Sequence, residues 1–118
     1  MIGQLHSVVI DAPDAFGLAT FYAELLGMEV QGRPGDRWVV ATGAGHRLAF
    51  QQAPDLQPPD WPDPARPQQF HLDVYVADID AAEPKVLELG ARRLPGEGGD
   101  FRVYADPVGH PFCLVWDA

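Results

Sequence analysis

Residues 32–46, GRPGDRWVVATGAGH, and residues 96–110, GEGGDFRVYADPVGH, decide the fold. Set against each other at an offset of 64, they agree at seven of fifteen positions: Gly32/Gly96, Gly35/Gly99, Asp36/Asp100, Val39/Val103, Ala41/Ala105, Gly45/Gly109 and His46/His110. Ordinary residue frequencies give about one such match. The chain therefore reads as a repeat.

Outward from these stretches the pattern extends. Leu5–Ile10 and Phe70–Val76 are rich in β-branched and aromatic residues and read as strands, each with a histidine near its start. A helix follows each. Asp14 caps Leu18, Phe21, Tyr22 and Leu25 on one face, stopped by Gly27; Asp78 or Asp80 caps Ala82, Val86 and Leu89, stopped by Gly90. Pro84 fits the second helix poorly, because its ring should clash with the carbonyl of Asp80 unless the helix starts late or bends. Three short strands then come in each half, near 28–32, 37–42 and 47–52, and near 91–95, 100–105 and 111–116. The expectation is an α+β fold made of two β-α-β-β-β modules.

Composition narrows the function. With 118 residues and 47% hydrophobic content, the chain suits one domain, with module one about 1–53, a linker over 54–67 and module two about 68–118. The linker carries six prolines and reads as extended; its Trp61 would cover a pocket, meet a second subunit or anchor the linker to the surface. No apolar stretch approaches the roughly 20 residues of a membrane helix, so no membrane partner and a cytoplasmic location are expected. The lone Cys113 excludes an internal disulfide and a structural cysteine–zinc cluster. A net charge of −9 argues against nucleic acid and would favour a cationic ligand, although it also serves solubility.

Two β-α-β-β-β units, the phrase Phe21-Tyr22-Ala23-Glu24-Leu25-Leu26-Gly27-Met28 at the first helix end, and Ala105-Asp106-Pro107-Val108-Gly109-His110 before the last strand together resemble the glyoxalase / bleomycin-resistance / extradiol dioxygenase (vicinal oxygen chelate) superfamily. That resemblance covers nearly the whole chain. It implies a curved eight-stranded sheet cup with the helices outside, a small organic molecule bound in the cup, and a homodimer. Metal-dependent relatives place ligands on the first and last strand of each module. Carried over, the first-strand positions fall on His6 and His71, while the last-strand positions fall on Ala49 and Cys113, where a carboxylate would be needed.

Two imidazoles suit a divalent metal such as zinc, nickel, iron or manganese, but catalytic sites usually supply at least three protein ligands, so no metal at all is an equal expectation. Alternation puts Asp73 and Tyr75 on the face of His71. Side chains two apart on a strand lie ~7 Å apart, so His71 and Asp73 would share an ion only across a bend or a water. Cys113 reads as a small hydrophobe, a ligand or a nucleophile. His46 and His110 follow turn glycines and receive no role. Trp38 and Val40, with Arg102 and Tyr104 at the equivalent positions, are expected to line the cup as an aromatic wall with one cation; the opposite facing would put Val39, Ala41, Val103 and Ala105 there. Three functions compete: a binding protein with Trp38, Asp73, Tyr75, Arg102, Tyr104 and Cys113 around its ligand, of the drug-sequestering kind among others; a metal-dependent lyase, isomerase or dioxygenase held on His6 and His71; and a protein that only pairs with other subunits.

Overall fold

The structure, a computed structural model, describes residues 1–118. The chain divides into two compact units, Met1–Leu56 and Gln57–Ala118. The first contains β1 (Val8–Ala12), α1 (Ala15–Leu26), β2 (Glu29–Gln31), β3 (Trp38–Gly43) and β4 (His46–Gln52); the second contains β5 (Leu72–Tyr75), α2 (Ile79–Glu88), β6 (Arg92–Glu97), β7 (Phe101–Ala105) and β8 (Pro111–Val115). The β-α-β-β-β order is thus present twice, and the fold is α+β. The strands form two four-stranded sheets, ordered β1-β4-β3-β2 and β5-β8-β7-β6. Both first strands begin later than the sequence suggests, at Val8 and Leu72, so His6 and His71 precede their strands.

In the first unit α1 is an apolar helix. The Asp14 carboxylate accepts the Gly17 N–H at 3.0 Å at its start, and Gly27 closes it with φ +67°, a conformation that costs glycine nothing. Leu18, Phe21 and Tyr22 are buried, and the Tyr22 ring stacks on Phe50 of β4 at 5.8 Å. Hydrophobic burial holds this helix to its sheet.

The second unit attaches its helix differently. Of α2 only Val86 is buried, and Pro84 sits inside the helix, which accommodates it five residues beyond its first residue. Its tie to the sheet is Glu83. That carboxylate accepts hydrogen bonds from Arg93 Nη1 (2.8 Å) on β6 and from Arg102 Nη1 (3.0 Å) and Tyr104 Oη (2.8 Å) on β7. Polar contacts here do what Phe21 and Tyr22 do in the first unit. The linker residues after 56 pack on this unit too: a Cβ on Gly109 would lie 2.9 Å from Pro58, and the Trp61 indole N–H donates to the Pro95 carbonyl at 2.6 Å.

One residue separates the two sheets in register. The pairings Val8↔Leu48 and Leu72↔Phe112 preserve the offset of 64, but Val39 pairs with Phe50 whereas Val103 pairs with Cys113, the counterpart of Ala49. The cause lies in the last hairpin. Ala41 pairs with Leu48 across six residues (42–47), whereas its counterpart Ala105 pairs with Pro111 across only five (106–110). Because strand side chains alternate, a slip of one reverses the faces of β7 relative to β3. Val39 therefore lies on the α1 side with Phe50, while Val103 turns away from α2.

Candidate functional site

This reversal corrects the expected lining. Trp38, 47% exposed, and Val40 lie on the face of the first sheet away from α1, as expected. Arg102 and Tyr104 do not lie on the corresponding face: both turn to α2 and are held by Glu83. The alternative facing, with Val103 inward, is the one that β7 adopts.

On the face of the second sheet away from α2 lies a cavity of about 470 Å³. Its walls are Trp61, Phe101 and Trp116, its floor is Val103, Cys113 and Val115, and His71, Asp73, Asp100 and Gln68 supply polar groups. Asp73, Cys113 and Val103 are successive cross-strand neighbours on β5, β8 and β7, which places their side chains on one face. Phe101 lies two residues before Val103 and shares that face. Trp61 arrives from the Pro-rich segment and is fixed by its bond to Pro95, so it both anchors the segment and forms a wall.

The polar end is compact. His71 Nε2 stands 3.2 Å from Asp73 Oδ1, and one donor atom each from His71, Asp73 and Cys113 lie within 4.8 Å of one another. Residues two apart on a regular strand would not meet this closely, but the chain bends just before β5: Gln69 has φ +70°, and the Phe70 N–H returns to the Gln68 carbonyl at 2.9 Å. His6 takes no part in this cluster. It lies in the first unit, exposed, with Nδ1 3.2 Å from Ser7 Oγ. The offset of 64 in fact sets Ser7, Val9 and Ala49 opposite His71, Asp73 and Cys113, so the first unit offers no matching donors. Tyr75 shares the face of Asp73 but is 57% exposed, donates to Asp117 at 3.0 Å, and lies outside the cavity lining. That bond and the Asp117 charge push its hydroxyl pKa up.

Burial pushes the Cys113 thiol up to about 11, and the charge of Asp73 and a hydrogen bond to it add to the shift. Near pH 8 roughly one molecule in a thousand then carries a thiolate, so Cys113 as it stands is a poor nucleophile. Labelling by iodoacetamide should be slow at neutral pH and accelerate only toward pH 11. In Asp73→Asn the thiolate absorbance at low ultraviolet wavelength should titrate at lower pH; an unchanged titration would remove Asp73 from this role.

The donor set fits a divalent cation. Imidazole, carboxylate and thiol together suit zinc better than manganese, and a cation beside the thiol would favour the thiolate that Asp73 disfavours.

The sequence matches the glyoxalase-like domain family over residues 7–115. The chain belongs to this family. Solved structures share the glyoxalase-like fold across the full length. A glyoxalase/bleomycin resistance protein/dioxygenase family enzyme from Burkholderia phytofirmans is 17% identical with a TM-score of 0.72, covering 97% of this chain and 98% of its own. The fosfomycin resistance protein FosX from Listeria monocytogenes is 17% identical with a TM-score of 0.72, covering 100% and 96%. A glyoxalase-related enzyme from Fulvimarina pelagi is 20% identical with a TM-score of 0.68, covering 98% and 89%. No curated protein matches the glyoxalase-like sequence.

Gln68, Asp100, Phe101 and Trp116 were not among the residues expected at the site, and covering a pocket was one of three readings of Trp61. Phe101 was implicit in the alternative facing of β7, since whatever face takes Val103 takes Phe101 as well. Trp116 follows the end of β8, where alternation no longer governs direction.

Proposed function

We propose that this glyoxalase-like protein binds a small organic molecule in the cavity of its second unit, between Trp61, Phe101 and Trp116 and above Cys113. The observation that carries this reading is the cavity itself: about 470 Å³ of space with aromatic walls and a few convergent polar groups at one end. Ligand sites typically have about 300–1,000 Å³ and that mixture of apolar lining and sparse polar groups. The resemblance to bleomycin-resistance proteins supports binding as the whole function. Small aromatic compounds should raise the melting temperature of the wild type, and Val115→Trp, which fills the cavity, should abolish the effect while keeping the circular dichroism spectrum. A wild type that responds to no compound, or a Val115→Trp variant that responds equally, would refute the reading.

The clustered donors favour a second reading, in which His71, Asp73 and Cys113 hold a divalent metal of the zinc kind. Three protein ligands leave a position open to substrate, and such an ion would supply Lewis-acid polarisation of a substrate oxygen. Around it, the aromatic walls would orient the substrate and exclude water. Untagged protein titrated with zinc should bind one equivalent; His71→Ala and Cys113→Ser should lose it and His6→Ala should not. Failure of the wild type to take up zinc removes this reading and leaves the binding protein.

A further inference from the structure

We infer that the cavity of the second unit selects an organic cation, because three aromatic side chains and two carboxylates face a space that no lysine or arginine lines. This rests on the reading of the cavity as a ligand site and adds the class of ligand. The face of an aromatic ring carries partial negative charge and attracts an ammonium group, by a factor of about 2–5 at exposed sites and about 30 when desolvated. Trp61 lines the cavity on a fixed mount. Its indole N–H is engaged with the Pro95 carbonyl at 2.6 Å.

Asp73 and Asp100 supply formal negative charge on the same space. The His71 imidazole lies 3.2 Å from the Asp73 carboxylate. The guanidinium of Arg102 lies 5.7 Å from the Trp116 ring centroid, but it is matched on the helix side by Glu83 at 3.0 Å and Asp80 at 4.0 Å and does not line the cavity. An organic anion would meet two carboxylates with no charged donor to receive it. A bare metal ion would use Asp73 with His71 and Cys113 but would leave Asp100 and the three aromatic walls unused. An aromatic or alkyl ammonium uses all of them, and the net charge of −9 draws it in from a distance.

Isothermal titration with three probes on one frame, naphthylmethylammonium, naphthylmethanol and naphthoate at about pH 7, tests the inference. The ammonium should bind about tenfold tighter than the alcohol, with naphthoate the weakest. Asp100→Asn should reduce the ammonium's advantage several-fold and leave the alcohol's Kd in place, and Trp61→Ala should weaken the ammonium more than the alcohol. Equal affinity for ammonium and alcohol, or tightest binding of naphthoate, would overturn the cation selectivity while the ligand site stands. Absence of binding by all three would overturn both.

Discussion

Replacing Asp106 by alanine should destabilise the protein by about 3–5 kcal/mol, a large share of the roughly 5–15 kcal/mol that holds a typical domain folded. Asp106 is 2% exposed, and its Oδ1 accepts the backbone N–H groups of Val108 (2.9 Å), Gly109 (2.9 Å) and His110 (3.0 Å). Each bond to a charged acceptor contributes about 1.5–3 kcal/mol, and the three do not add fully because a freed loop relaxes toward water. Asparagine keeps the acceptor oxygen without the charge and should lose about half as much. The loop that Asp106 folds is the same five-residue hairpin that sets the register of Val103 against Cys113, so the floor of the cavity depends on it. Urea unfolding at unchanged m-value checks the effect. An alanine variant within about 1 kcal/mol of wild type would show that the hairpin holds its form without this carboxylate.

Glu83→Ala should cost about 2–4 kcal/mol. It strips partners from Arg93, Arg102 and the fully buried Tyr104 at once, and leaves α2 with Val86 as its one buried anchor. The same group makes stability depend on pH. Burial pushes the Glu83 pKa up, but the hydrogen bonds from Tyr104 and Arg93 and the charges of Arg102 and Arg93 outweigh it and hold the carboxyl below its ordinary 4.5. A lowered folded pKa gives stability that is complete above the unfolded value and is lost as pH falls through the folded one. Wild type should therefore lose stability as acid is added below about pH 4.5, and Glu83→Gln should lose less over that window. An equally steep acid limb in the glutamine variant would contradict this. Tyr104, which burial and then Glu83 push up to about 12, acts at the other end, with stability lost as pH rises through that value.

Much of the fold was legible in residue spacing. Asp14 and Gly27 bound the first helix and Asp78 and Gly90 frame the second, and the three short strands of each half fall within a few residues of their expected spans. The site was less legible because it turns on a single residue of hairpin length. At an offset of 64, identical pairs such as Val39 and Val103 invite equal facing, yet Ala105 pairs across 106–110, one residue fewer than its counterpart Ala41 spans, which reverses β7 and sends Arg102 and Tyr104 to Glu83. Local periodicity cannot register such a slip, since both facings have the same alternation. The closeness of His71 and Asp73 likewise depends on the backbone of Gln69, a residue with no propensity signal for positive φ. Trp61 was open to covering a pocket, meeting a second subunit or anchoring the linker, and long-range packing of its segment, which composition does not encode, brings it to the cavity.

Amide-resolved NMR titration with naphthylmethanol or its ammonium analogue, whichever binds more tightly, tests most directly that the cavity of the second unit is the ligand site. The shifts should concentrate on the amides of Asp73, Val103 and Cys113 and on the indoles of Trp61 and Trp116, with the Trp38 indole of the first unit unmoved. Shifts centred on Trp38 and its strand, or saturation that leaves Trp61 and Trp116 unperturbed, would contradict the account.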